Sequence, residues 1–333
     1  MSKTDALWVA EALPARLGDL AAHLPFRWAR ALCSLKLLLP FYHLASDEAP
    51  PHVRHLYPVR STSDFRADLD FLGRYFRPVS LGEVVRHVRE GRPFRHWSVH
   101  LTVDDGLREC HDPMAPILLE KGFPATFFLN SAFLDNRALM FRYEASLLAD
   151  ALLQKGKAWQ EILPFDPLQI GYDHRDILGT TLADWGVDVG EFLQKEKPYL
   201  SSAQVANLLE KGFSIGGHSV DHPLYRALTE EEQLSQTLES QFFLEKKFRV
   251  KHRVFSFPFT DDGVRKSFLE KLHHKHGFQL TFGSAGLKHD AVPFHLQRLP
   301  MEKTAQTAKA IVGGAYLYWG GKSFFGKNTL RRS

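Results

Sequence analysis

The chain has 333 residues, 44% hydrophobic and 24% charged, which is room for one large domain or two small ones of ordinary soluble composition. A net charge of +4 does not mark a nucleic-acid binder, and two cysteines, Cys33 and Cys110, exclude a disulfide framework and fit a reducing, cytoplasmic compartment. Asp5, Glu11, Arg16 and Asp19 leave no secretory signal pattern, and the apolar stretch 29–44 is broken by Arg30 and Lys36, short of the ~20 residues that span a bilayer.

Residues 1–36 read as an N-terminal helical extension, and Leu37–Tyr42 as the first strand. Phe65, Leu69, Leu72 and Phe76 then fall on one helical face after Ser63, and Ser80 with Glu83 has capping-box spacing. The apolar strand Ser98–Val103 delivers Asp104 and Asp105 at its end, and Ala125–Leu129 follows as a strand. Residues 131–200 interrupt the alternation. They hold an amphipathic run at Tyr143–Leu153, and two readings fit: an insertion over the mouth of the sheet, or an extra packing element. Ser201 with Gln204 and Thr229 with Glu232 open further helices, and Phe213–Gly216, Arg253–Phe257, Phe278–Phe282 and His295–Leu299 read as strands. Such alternation predicts an α/β fold, a parallel sheet with helices outside, doubly wound or closed as a barrel, with reactive groups at the C-terminal strand ends. Residues 302–333 form a basic aromatic extension. From Lys303 onward it carries six basic and no acidic residues, interleaved with Tyr316, Tyr318, Trp319, Phe324 and Phe325. It reads either as a helix packing its aromatics on the body or as a peripheral contact with an anionic membrane surface.

Two clusters carry chemistry. Asp104-Asp105-Gly106 places adjacent carboxylates at a strand end, and His218-Ser219-Val220-Asp221-His222 follows a glycine-rich strand. On a helical turn or a compact loop, His218 and His222 point the same way and suit one metal, with Asp105 as the third ligand and open positions left for water and substrate. Zinc is the default, although iron(II) uses the same donor set. The other carboxylate, Asp104, is free to handle a proton. Cys110-His111-Asp112 reads as a helix start, His273, His274 and His276 as a solvated helix end, and Asp261-Asp262-Gly263 as a turn.

These residues resemble the polysaccharide deacetylase family, also called the NodB-homology or carbohydrate esterase 4 family. Thr102-Val103-Asp104-Asp105-Gly106 matches its first motif, His218 to His222 followed by Pro223 its second, and Phe257-Pro258-Phe259 resembles its third. Lys121 to Phe128, Gly212 to Gly216 and Tyr42-His43 resemble the surrounding strands, so the likeness spans about residues 37–301. It implies a distorted (β/α) barrel, here with the 131–200 insertion and terminal extensions, that removes acetyl groups from amino sugars. It further implies one divalent metal, zinc by default, held by Asp105, His218 and His222. Asp104 would be the general base, and the Phe259 N–H beside Pro258 would be an oxyanion donor. The chain departs from the pattern twice. Ser256 stands where many members carry an arginine that orients the base, and no clean equivalent exists of the late Leu-x-His proton donor. His295 and His289 are candidates for that donor, and Arg298 for a positive group near the strand end. The expected substrate is an N-acetylated glycan or its lipid-linked precursor. O-acetyl ester hydrolysis, a non-sugar amide, and an inactive glycan-binding module are the alternatives.

Overall fold

The computed structural model describes residues 17–32, 35–302, 306–324, 326 and 328–332, with backbone only at 160, 161 and 324. Expectations that fall on residues 1–16, Cys33, Lys303, Phe324 as a side chain, Phe325 and Lys327 lie outside the described residues. No helix among those described is long and apolar enough to cross a membrane.

Eight parallel strands form the main sheet: β1 (Pro40–Tyr42), β2 (Leu101–Val103), β3 (Ala125–Leu129), β4 (Ser214–Gly217), β5 (Val254–Ser256), β6 (Leu280–Gly283), β7 (His295–Gln297) and β8 (Leu299–Pro300). Their order is β7-β6-β5-β4-β3-β2-β1-β8. Arg298 alone separates β7 from β8. Its N–H donates to Gly283 O at 3.2 Å, and the N–H of Leu299 donates to Leu39 O at 2.8 Å. One extended stretch therefore pairs with both edges of the sheet and closes it into a nearly complete (β/α) barrel. β3 is buried at every position, as expected of a parallel strand covered on both faces.

Two of the expected strands are each broken once. Leu37–Leu38 and Ser98–Val99 pair with each other, and Arg77–Pro78 joins them in a separate three-stranded sheet, before the same chains enter the barrel as β1 and β2. The break in the second is fastened by His100, whose ring nitrogens meet Val79 O and Thr126 Oγ1, both at 2.8 Å. The three capping boxes form as read, at Ser80, Ser201 and Thr229. The helix expected after Ser63 starts at Thr62 instead, because Ser61 accepts the Asp64 N–H.

The 131–200 segment is helical, with its longest helix at Phe141–Gln154, and has a hydrophobic core of its own that includes Phe133, Met140, Leu148, Leu178 and Tyr199. The C-terminal helix Ala308–Phe324 lies on the body. Tyr316 is fully buried against Phe26, Phe76 and Trp97, and Trp319 is buried too, while Lys322 Nζ sits 4.3 Å from the Tyr318 ring.

Beyond that helix the chain returns to the barrel rim. Thr329–Leu330 pairs with His289–Asp290, and Arg332 is buried between Asp290 and Asp261. Arg332 Nη2 lies 2.8 Å from Asp290 Oδ2, and Nη1 donates to the carbonyls of Asp261 (3.0 Å) and Val264 (3.1 Å). Asp261 is thus not the exposed turn residue its Asp-Asp-Gly setting suggests. It is a buried hub that also accepts from His295, Gln297 and the Ser284 N–H. Its carboxylate lies where a Cβ on Gly283 would meet it at 2.4 Å, so only glycine fits there. Burial alone would raise the Asp261 carboxyl, but His295, Arg332 and Gln297 hold it well below the usual range. Arg332→Ala removes the guanidinium shared by two buried carboxylates, Asp261 and Asp290. It is expected to cost about 3–5 kcal/mol of stability, read as a lower midpoint of urea denaturation; an unchanged midpoint would mean that the tail does not fasten the rim.

Candidate active site

The two motif clusters meet at the C-terminal end of the barrel. Asp104 and Asp105 follow β2, and the loop bearing His218 and His222 follows β4. Both carboxylates and both imidazoles are buried. Asp105 Oδ1 lies 3.4 Å from His218 Nε2 and 3.2 Å from His222 Nε2.

Local backbone conformations aim these groups. Asp105, Ser219, His222 and Phe259 all have φ between 56° and 71°, a region that costs a non-glycine residue free energy and recurs at functional sites. Gly106 has φ 68°, and a Cβ there would meet Leu129 at 2.8 Å, so the turn after Asp105 admits only glycine. The His218–His222 segment is a compact loop rather than a helical turn. Ser219 Oγ accepts from the His222 N–H at 3.0 Å, Asn130 Nδ2 donates to Ser219 Oγ at 3.3 Å and to the His218 carbonyl, and Gln236 Oε1 accepts from the Val220 N–H at 2.9 Å.

The donor set fits a metal ion. Asp105, His218 and His222 each offer a ligand atom, all within 4.8 Å of one another. His218 Nδ1 is 2.7 Å from the Ser256 carbonyl, which makes it the N–H and leaves Nε2 as a lone pair facing Asp105. Asp105 Oδ2 accepts from Tyr143 Oη at 2.6 Å, whereas Oδ1 is buried with no hydrogen-bond partner. An orphaned carboxylate oxygen between two imidazole nitrogens is costly without a cation to meet it. Burial pushes the Tyr143 phenol well up, so it stays a donor.

Asp104 is held differently. Arg298 is 1% exposed, and its Nη1 and Nη2 meet Asp104 Oδ1 and Oδ2, each at 2.7 Å. The same guanidinium donates to Thr102 Oγ1 (3.0 Å), Ser256 Oγ (2.7 Å) and Gly283 O (3.1 Å). Burial would raise the Asp104 carboxyl, and Arg298 first, then His218, keeps it below its ordinary value. Arg298, between the two strands that close the barrel, thus holds Asp104 beside Ser256.

His295 is not brought to this cluster. Its ring nitrogens face Thr281 Oγ1 at 2.7 Å and Asp261 Oδ2 at 3.0 Å. The residue that sequence reasoning left without a role is His43, at the end of β1. Its Nδ1 lies 2.6 Å from Glu302 Oε2, and Glu302 also accepts the backbone N–H groups of His43 and Leu44. Burial would lower the His43 pKa, but Glu302, followed by Asp105 and Asp104, raises it to about 9. The side chain remains 26% exposed. Its place at the C-terminal end of a barrel strand was the available signal.

Pro258 and Phe259 form the wall opposite. The Phe259 ring stands 4.4 Å from that of His222 and is 41% exposed. The 131–200 segment reaches the site at three points: Tyr143 on Asp105, Phe141 against Phe259 (6.2 Å), and Tyr172 Oη on Asp221 Oδ2 (2.6 Å).

The family model for polysaccharide deacetylase matches residues 91–280, more than half of the chain. No curated protein sequence gives a significant match. Among solved structures, the Streptococcus pyogenes deacetylase PplD, in complex with acetate, aligns with TM-score 0.56 at 14% identity, over 84% of this chain and 97% of that one. IcaB from Ammonifex degensii gives 0.54 at 16%, over 84% and 97%. A de-N-acetylase from Aggregatibacter actinomycetemcomitans gives 0.56 at 13%, over 83% and 99%. At these identities the likeness is one of fold, and it is the barrel described above. With the matched family model, and with both motifs assembled at one strand end, the chain belongs to the polysaccharide deacetylase family.

Proposed function

We propose that this protein is a metal-dependent N-deacetylase acting on an N-acetylated amino sugar. The observation that carries the reading is the orphaned Asp105 Oδ1 between two imidazole nitrogens, one residue from a carboxylate held ionised by Arg298. Asp105, His218 and His222 would hold the ion, and two imidazoles with one carboxylate suit zinc. When bound, such a cation supplies Lewis-acid polarisation of the acetyl carbonyl and of water.

The remaining chemistry belongs to the chain. Asp104, deprotonated and fixed by Arg298, accepts a proton from the water that attacks the carbonyl carbon. Asp104 Oδ1 keeps a lone pair beyond its bond to Arg298, whereas Oδ2 also accepts from Ser256 Oγ at 3.3 Å. The Phe259 N–H, which has no backbone acceptor among the described residues, would donate to the developing oxyanion. His43 Nδ1 is fixed by Glu302, so its Nε2 gives a proton to the departing nitrogen as the C–N bond breaks, leaving acetate and a free amine.

Metal content of the purified protein and acetate release from N-acetylglucosamine oligomers test this together. About one equivalent of metal is expected, with activity abolished by chelation and restored by zinc. Failure to take up metal would sink the ligand assignment. Metal without acetate release would move the reaction to another acyl group.

A further inference from the structure

Three arginines of the 131–200 segment, Arg137, Arg142 and Arg175, form no ion pair among the described residues; Arg137 donates to the Leu134 and Ser131 carbonyls and lies 5.3 Å from the Phe243 ring. The buried arginines of the body, Arg60, Arg298 and Arg332, are each met by an aspartate. Arg142 is not. Its guanidinium donates to the Leu168 carbonyl and stands 5.6 Å from the Phe141 ring and 5.9 Å from the Phe259 ring. Asp166, whose charge it feels, forms no ion pair with it among the described residues and instead caps the Leu168 N–H at 2.9 Å. Arg175 lies 4.0 Å over the Tyr172 ring and donates to the Tyr172 carbonyl at 2.9 Å. Among the described residues it too forms no ion pair.

Arg142 and Arg175 are continuous with the reaction centre. From His222 the rings run to Phe259 (4.4 Å), Phe141 (6.2 Å) and Tyr172 (5.9 Å), and Tyr172 returns to the histidine loop through Asp221. Phe259 thus contacts both Arg142 and His222. Arg142 is half-buried and keeps N–H donors beyond its bond to Leu168, and its planar fork matches a phosphate or a carboxylate. The exposed Phe259 face between them offers a sugar an apolar surface.

We propose that Arg142, supported by Arg175, binds an anionic group, phosphate or carboxylate, carried by the substrate next to the N-acetylated sugar that reacts. This rests on the deacetylase reading and narrows it to acidic or phosphate-bearing amino sugars.

Calorimetric titration of the metal-loaded full chain tests it with three ligands: N-acetylglucosamine 1-phosphate, an N-acetylglucosaminyl-glucuronate disaccharide, and the neutral methyl glycoside of N-acetylglucosamine. One anionic ligand is expected to bind about tenfold or more tighter than the neutral one, and the tighter of the two identifies the source of the charge. The preference is expected to vanish in Arg142→Gln, to shrink in Arg175→Gln, to survive in part in Arg142→Lys, and to weaken with added salt. The Arg142→Gln result also separates the site from direct attachment of phosphate to the metal. Equal affinity for anionic and neutral ligands, or a preference that persists in Arg142→Gln, overturns the proposal; if that variant does not fold, a preference unmoved by Arg175→Gln and by salt does the same. Acetate release is read separately on the same ligands. Preference without acetate from any of them removes the deacetylase reading and leaves the anion site, and acetate without preference does the reverse.

Discussion

Arg298→Met is expected to damage stability and catalysis together. The guanidinium and Asp104 are both buried and joined by two bonds of 2.7 Å. Deleting one member leaves an uncompensated buried charge, which costs about 3–5 kcal/mol, whereas the intact pair against an apolar substitute would be near neutral. Asp104 lessens that cost by taking up a proton, and a protonated Asp104 cannot act as a base. Acetate release is therefore expected to fall by about 10²-fold or more, alongside a lower midpoint of urea denaturation. Arg298→Lys restores the charge without the planar fork, so part of both losses should return. A stable, active Arg298→Met protein would show that Asp104 draws its support from elsewhere.

That pair also marks where legibility in the sequence ends. Asp104 and Asp105, and likewise His218 and His222, are near neighbours in the chain, and each set follows a strand whose apolar run is plain. Their convergence follows from the rule that parallel strands present their C-terminal ends on one rim. Arg298 was harder to read, because its role depends on the barrel closing at that residue. Alternation along the final strand settles which side chains face where. His295 and Gln297 share one face and both meet Asp261, while Arg298 turns to the interior and meets Asp104. Proximity in sequence to the strand end thus favoured His295 as a proton donor, and the two-residue period assigns it to the rim hub. His43 and Glu302 are 259 positions apart, and no local pattern announces that they touch. Asp261 was hidden for the opposite reason: Asp-Asp-Gly is the common signature of a turn, and its partner Arg332 lies far along the chain.

His43 supports the second large effect. Its folded pKa, raised to about 9, lies above the ordinary value of 6.5. A group raised in this way contributes stability in full below about pH 6.5, and loses it as pH rises toward 9. The same proton is the one proposed to reach the leaving nitrogen, so activity should fall on the alkaline side as His43 deprotonates. A cation held by Asp105 adds positive charge nearby and opposes the raising effect of Asp105 and Asp104, which sets the alkaline limb of the metal-loaded enzyme below pH 9. His43→Gln is expected to lower kcat by about 10²–10⁴-fold and to abolish that limb. Glu302→Gln keeps the shape of the partner but removes the largest raising influence on His43, so its alkaline limb should move to lower pH while the acid side stays in place. Full pH profiles of acetate release for the three proteins separate a proton donor from a merely structural histidine. A structural role would lower activity at every pH without moving the limb, and an unshifted limb in Glu302→Gln would remove His43 from the reaction.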